Sequence, residues 1–146
     1  MHTVRQILQS KGGDIWSIAP QETAFKALQI MAAKEIGVLL VIDGEKLVGI
    51  FSERDYARKV ILKGKSSKET AVAELMTQEV YYTNPGATME DCMALMTAKH
   101  LRHLPVMENE KLIGLVTLGD VVNKVISDQK VTIRELEKYI TGGYGA

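Results

Sequence analysis

Residues 20–61 of this chain are written again at 85–126, sixty-five positions on, and the two copies align without a gap. Pro20 falls on Pro85, Thr23 on Thr88, Met31 on Met96, Lys34 on Lys99 and Val41 on Val106. Glu45-Lys46-Leu47 falls on Glu110-Lys111-Leu112, Gly49 on Gly114, Asp55 on Asp120, and Lys59-Val60-Ile61 on Lys124-Val125-Ile126. Between these anchors character is kept: Leu28 on Met93, Ile30 on Leu95, Ile36 on Leu101, Val48 on Ile113, Ser52 on Thr117. A solenoid needs three or more short stacked units. Two long copies imply instead two half-domains that complete each other, with functional sites in a related pair.

The copies divide the chain into residues 1–66, residues 67–128 and an extension at 129–146. A unit of about 65 residues buries only roughly 60% of the surface its unfolded chain exposes, so each copy is marginal alone and is expected to pack on the other. The 146 residues carry a formal net charge of zero, which argues against a generic nucleic-acid binder. Cys92 is the single cysteine, so no disulfide forms within the chain. A charged segment followed by an apolar secretory stretch is missing, and the longest apolar run, Ile36 to Ile42, is too short to cross a bilayer. The expected compartment is the cytoplasm, without membrane or nucleic-acid partners. Within the neutral total, Ser52 to Glu69 holds six cations against three anions. That segment is either a solvated helix face with a linker or a local anion-attracting surface.

Hydrophobic spacing and punctuation give the order of elements. Val4, Ile7 and Leu8 sit at helical spacing behind a possible Thr3 cap, and Gly12-Gly13 ends that segment. A short strand over Ile15–Ile18 precedes a helix opened by Thr23 and stopping near Gly37. Val38–Ile42 reads as a strand buried on both faces, joined through Asp43-Gly44 to a strand over Leu47–Phe51. Ser52 starts a helix that runs out at Gly64. After a polar joint the order repeats: a short helix at Val72, Leu75 and Met76, a strand near Val80–Thr83, a helix from Thr88, strands at His103–Met107 and Lys111–Val116, and a helix from Thr117. Each copy is β-α-β-β-α, an α/β (α+β) fold. The extension adds an apolar stripe, Ile133, Leu136 and Ile140, which packs on the body or meets a partner chain.

Catalytic templates are missing: no glycine-rich phosphate loop, no His-Glu-x-x-His and no Cys-x-x-Cys occurs. His100 and His103 lack a third ligand in the pattern, so no metal site is assigned, and Cys92 aligns with Ala27 as a small core residue. The informative pattern follows the third strand of each copy. It reads Gly49-Ile50-Phe51-Ser52-Glu53-Arg54-Asp55 first and Gly114-Leu115-Val116-Thr117-Leu118-Gly119-Asp120 second. A hydroxyl at a strand-to-helix junction with an acid three residues on is close to a capping box. The same geometry suits a nucleoside phosphate. Free helix-start N–H groups and a hydroxyl meet phosphate, and an acceptor-only carboxylate takes both ribose hydroxyls.

With Arg102-His103-Leu104-Pro105-Val106 ahead of the second copy of that motif, the chain resembles a tandem pair of CBS domains, a Bateman module, over roughly residues 3 to 127. The first copy has Gly37-Val38-Leu39-Leu40 in place of Arg-His-x-Pro. Ser52-Glu53-Arg54-Asp55-Tyr56 and the ending near Tyr144 resemble those of small stand-alone members. The resemblance implies two pseudo-twofold-related units packed sheet to sheet, usually as dimers. It also implies a non-catalytic role, with an adenosine ligand (AMP, ADP, ATP, NAD or S-adenosylmethionine) held in the cleft between the repeats, an adenine nucleotide or dinucleotide being the leading expectation. Carried over, Asp120 and Asp55 hold ribose and Thr117 and Ser52 meet phosphate. Thr83, Tyr82 and Ile18, with Leu104, Pro105 and Leu39, line the base. Arg102 and His103 face the phosphates of one site, and Arg54 and Arg58 those of the other. The expected partners are that ligand, a second copy of the chain, and an unknown regulated protein. The alternative from another class is a structural dimerisation or docking module with empty clefts.

Overall fold

The computed structural model describes the backbone of residues 2–143, and the side chains of these residues apart from 131, 132 and 138–143. In chain order the elements are α1 (Val4–Lys11), β1 (Ser17–Ile18), α2 (Ala24–Lys34), β2 (Val38–Asp43), β3 (Lys46–Ser52) and α3 (Glu53–Tyr56), which continues as a π-helical turn over Ala57–Ile61. Then come α4 (Val72–Leu75), α5 (Met89–Lys99), β4 (His103–Glu108), β5 (Lys111–Thr117) and α6 (Leu118–Gly143). Helices and two small sheets, ordered β1-β2-β3 and β4-β5, give the mixed α/β fold that the sequence predicts.

Local chemistry explains the element ends. Thr23 and Thr88 cap α2 and α5 by accepting the N–H of Lys26 and Asp91, each at 3.1 Å. Thr3 and Gln6 form a reciprocal capping box at the start of α1. Both α2 and α5 end on a residue in the left-handed region, Glu35 at φ 54° and His100 at φ 56°. His100 is therefore a helix terminator.

The chain divides into two compact units, and their limits cut across the sequence copies. One is Ile15–Tyr81. The other joins Met1–Asp14 to Tyr82–Ala146. In the first, Ile18, Ala27, Met31, Leu39, Val41, Phe51 and Val60 form a core with Val72 and Leu75 of α4. In the second, the matching positions Cys92, Met96, Leu104, Val106 and Val116 are buried, as are Val4 and Ile7 of α1. Val38 to Val41 are all at most 5% exposed, as a strand covered on both faces requires.

Each short helix docks in the same way. Val4 and Arg5 donate their N–H groups to Ala87 and Pro85 carbonyls at 2.9 and 3.0 Å, and Val72 and Ala73 donate to Glu22 and Pro20 at 2.7 and 2.9 Å. A Cβ on Gly114 would lie 2.6 Å from Leu8 Cδ2, and one on Gly49 would lie 2.6 Å from Met76 Sδ. These two glycines recur because a lead-in side chain occupies the space beside the strand.

One sequence expectation is corrected. The strand predicted near Val80–Thr83 is a single bridge, Thr83 to Val106. In the first copy Leu40 donates its N–H to Trp16 O at 3.1 Å. The corresponding residue of the second copy is Pro105, which has no N–H, so the ladder stops short. The stripe on the C-terminal helix is not covered by the chain at Ile133 and Leu136, which are 53% and 57% exposed. The Ile140 side chain and Tyr144 lie outside the described residues.

The close approach at Gly114 has a measurable consequence. Gly114→Ala should destabilise the fold by about 1–3 kcal/mol through overpacking. Combined with Leu8→Ala it should cost less than the sum of the two single changes, because the truncated side chain no longer clashes. Denaturant unfolding of the four proteins in the cycle checks this, and strict additivity would contradict it.

Candidate functional site

His103 opens β4 directly across from Thr117, which ends β5. Thr117 donates its N–H to Asp120 Oδ2 at 2.9 Å, and the Asp120 N–H donates back to Thr117 Oγ1 at 3.1 Å. Leu118 N–H donates to the Arg102 carbonyl at 2.8 Å. The capping box predicted from the motif is thus present, and it consumes part of what an anion would use. Of the N–H groups in the first turn of α6, only that of Gly119 lacks an acceptor among the described residues. The helix start is less open than its sequence suggests.

Asp120 has a further partner. Lys11, the last residue of α1, donates from Nζ to Asp120 Oδ2 at 2.7 Å and to the Leu115 carbonyl at 3.0 Å. Burial of Asp120 favours its neutral form, but the Lys11 ammonium and the Thr117 N–H outweigh this and hold the carboxyl below its ordinary value. It is charged at neutral pH. The His103 imidazole is pushed down from its ordinary value, first by burial and then by the positive charges of Arg102 and Lys11, with Asp120 opposing. Thr117, Asp120, Arg102 and His103, all candidates from sequence, therefore meet at one junction. Lys11 completes the group.

The matching junction of the other unit is closed more tightly. Asp55 Oδ2 accepts the Ser52 N–H and hydroxyl, both at 3.0 Å. Its Oδ1 accepts Thr77 Oγ1 at 3.2 Å and pairs with Lys59 Nζ at 3.1 Å. Both carboxylate oxygens and the Ser52 hydroxyl proton are engaged. Where the second copy has Arg102 and His103, this one has Gly37 and Val38, and the Glu53 carboxylate carbon lies 3.7 Å from where a Cβ on Gly37 would sit. Arg54 and Arg58 are exposed on this side.

The remaining candidates are placed as follows. Thr83 is buried: its N–H donates to Pro105 O at 2.9 Å, and the Cys92 thiol sits 3.9 Å from its hydroxyl. Ile18, Leu39 and Leu104 are at most 5% exposed, and Pro105 is buried as well, whereas Tyr82 is 62% exposed. Cys92 is a core residue whose thiol is pushed up by burial, which disfavours the thiolate. Among the described residues no cluster of three His, Cys, Asp or Glu side chains could hold a metal ion, and no helix is long and apolar enough to cross a membrane. Lys11, Lys59 and Thr77 were not foreseen as part of these junctions. Lys59 had a signal, four residues beyond Asp55 on one helix. Lys11 lies 109 residues from Asp120 and had none.

A tandem pair of such units, each closing a strand-to-helix junction with a hydroxyl and an aspartate, defines the class. The CBS domain family matches twice, over residues 4–62 and 72–127, and the chain belongs to that family as a CBS-domain pair. It is 35% identical to the mitochondrial CBS domain-containing protein CBSX3 of Arabidopsis thaliana, over 97% of this chain and 73% of that one. It resembles the solved structure of a CBS-domain protein from Burkholderia ambifaria at 49% identity and a TM-score of 0.84, covering 88% of this chain and 96% of that one. At 21% identity it shares the fold of a CBS domain pair solved in complex with 5′-methylthioadenosine and S-adenosyl-L-methionine, with a TM-score of 0.76 over 88% of this chain and 98% of that one.

The charges around His103 give a titration prediction. Its imidazole should titrate below the ordinary histidine value of 6.5 in NMR spectra. Because the folded value is lowered, the neutral ring stabilises the fold above about pH 6.5, and that contribution is lost as pH falls through the folded value. Lys11→Met should move the midpoint up by removing a cation, and Asp120→Asn should move it down by removing an anion. A midpoint unmoved by both changes would mean these groups do not share one field.

Proposed function

We propose that this chain is a non-catalytic regulatory module that binds an adenine nucleotide or dinucleotide, AMP, ADP, ATP or NAD, and passes the energy or redox state on to a partner protein. The observation that carries this reading is the junction of Thr117 and Asp120 with Arg102, His103 and Lys11. One charged, acceptor-only carboxylate sits among positive groups, one oxygen of it unengaged within the described residues and a hydroxyl beside it. A ribose diol needs the carboxylate and a phosphate needs the cations. The adenosine ligands of the structural neighbour share the ribose half of this chemistry, not the phosphate half. In this reading Asp120 takes the ribose, Thr117, Arg102 and His103 meet phosphate, and Thr83, Tyr82, Leu104 and Pro105 flank the base. Ser52, Asp55, Arg54 and Arg58, with Ile18 and Leu39, form the weaker counterpart. Its carboxylate is already saturated, and it lacks the Arg-His pair.

A second reading is favoured by that internal saturation: a structural dimerisation or docking module that holds no ligand. Thermal unfolding against AMP, ADP, ATP, NAD, NADH and S-adenosylmethionine separates the two. A ligand at a hundred times its dissociation constant should add about 2.7 kcal/mol of stability. Asp120→Ala should weaken binding by roughly tenfold to a hundredfold, as expected for losing about 1.5–3 kcal/mol of charge-assisted hydrogen bonding. If Asp120 acts only as a cap, the same change should cost about 1 kcal/mol of fold stability and leave affinity unchanged. Equal affinity for AMP and 2′-deoxy-AMP would rule out the ribose contact.

The proposed assembly is a homodimer through α6. Val122, Ile126, Ile133 and Leu136 are each at least 36% exposed. With Gln129 as the intervening polar position, they fall on the four-three stagger of a heptad seam. Leu136→Arg should convert a dimer, measured by sedimentation at micromolar concentration, to monomer. A wild-type chain that sediments only as monomer would exclude this interface.

A further inference from the structure

The Lys11 ammonium occupies one oxygen of the carboxylate that the ribose reading gives to the sugar. It shares Asp120 Oδ2 with the Thr117 N–H, at 2.7 and 2.9 Å, whereas Oδ1 accepts no hydrogen bond among the described residues. A vicinal diol bonds a carboxylate best through both oxygens, one hydroxyl to each. Half of that acceptor face is therefore taken by Lys11. The other junction differs in kind. There the ammonium on Asp55 comes from Lys59, on the same helical segment one turn along, and Thr77 holds the same oxygen. Lys11 instead reaches in from α1 as the last residue before Gly12, whose φ of 91° ends the helix. Its side chain is one-third exposed and that of Asp120 about one-quarter, so the pair can open without unpacking the core.

We infer that Lys11 is a specificity-determining residue, which leaves Asp120 for the phosphate of an arriving nucleotide and thereby selects phosphorylated over unphosphorylated adenosine ligands. This rests on the reading of Asp120 as the ribose ligand. When a diol takes Oδ2, the ammonium keeps its bond to the Leu115 carbonyl and loses its anion. The groups facing it are Asp120, itself now on the sugar, and Arg102 and His103, which offer no negative charge. A phosphate supplies the missing partner. A neutral nucleoside or thioether leaves the ammonium unpaired in a half-buried place, and a sulfonium adds a like charge beside it. Exchange of one anion for another is close to balanced, whereas loss of the anion is not. The expected order of affinity is AMP, then adenosine, then S-adenosylmethionine.

Calorimetric titration of the full chain with these three compounds tests this. Wild type should prefer AMP over adenosine by about tenfold or more, the effect of one charge-assisted hydrogen bond. Lys11→Met should weaken AMP, leave adenosine equal or tighter, and collapse the ratio towards one. Lys11→Arg should restore it. Should Lys11→Met unfold, Lys11→Gln keeps a donor for Leu115 without the charge and should give the same collapse. Binding of both AMP and adenosine with a ratio unchanged in the Met or Gln variant would overturn the role of Lys11 and leave the nucleotide reading standing. If wild type binds none of the three, the role of Lys11 falls, and the nucleotide reading falls with it only if ADP, ATP and NAD also fail to bind.

Discussion

The contact between Leu8 and Gly114 is the constraint on which the site depends. A strand residue without a side chain lets α1 lie against β5, since a Cβ at that position would come within 2.6 Å of the leucine. Hydrogen bonds from Val4 and Arg5 to Ala87 and Pro85 fix the other end of the helix. With α1 held at both ends, its last residue is aimed at the start of α6. Lys11 then reaches Asp120 and the Leu115 carbonyl together. Packing of a leucine side chain beside a glycine thus sets which cation pairs with a carboxylate on another element.

The two copies keep one scaffold and diverge in how they satisfy it. Both place a hydroxyl and an aspartate at a strand-to-helix turn, and both give the aspartate a lysine. In the unit containing Asp55 the lysine is local, one helical turn away, a threonine shares its oxygen, and Ser52 fills the other. In the unit containing Asp120 the lysine comes from a separate helix and one oxygen is left over. A buried or half-buried carboxylate must be paired in either case, because its charge is costly to desolvate. The difference lies in how easily the pairing is undone. Pairs between separate elements open by a side-chain motion, whereas a carboxylate with both oxygens engaged, mostly from its own helix start, has little to gain by moving.

Divergence also reaches the backbone. Pro105 stands where the first copy has Leu40, and the missing N–H reduces a two-residue parallel pairing to one bridge at Thr83. The same proline belongs to the Arg102-His103-Leu104-Pro105 segment that distinguishes the second junction. A site-bearing segment has replaced a ladder hydrogen bond there, and the fold tolerates it because the strand lies at the end of its sheet.

Much of this protein is legible in its sequence, because the signals are local. The aliphatic run Val38–Val41, the glycine at the hairpin and the Ser/Thr-x-x-Asp spacing each act over a few residues, and the period of sixty-five writes most of them twice. They fix the β-α-β-β-α order and put hydroxyl and aspartate together on one turn. Sequence could not assign the short helices, since α1 and α4 are written ahead of one copy and belong to the core of the other. Nor could it show that the Leu118 N–H at the start of α6 is spent on the Arg102 carbonyl, or that Asp55 is saturated and Asp120 is not. Those facts depend on residues brought together from 22 and 109 positions apart. The chain's local chemistry determines which groups each junction contains. Only tertiary packing, which sets what lies within hydrogen-bonding distance of a carboxylate, decides which of those groups are left for a ligand.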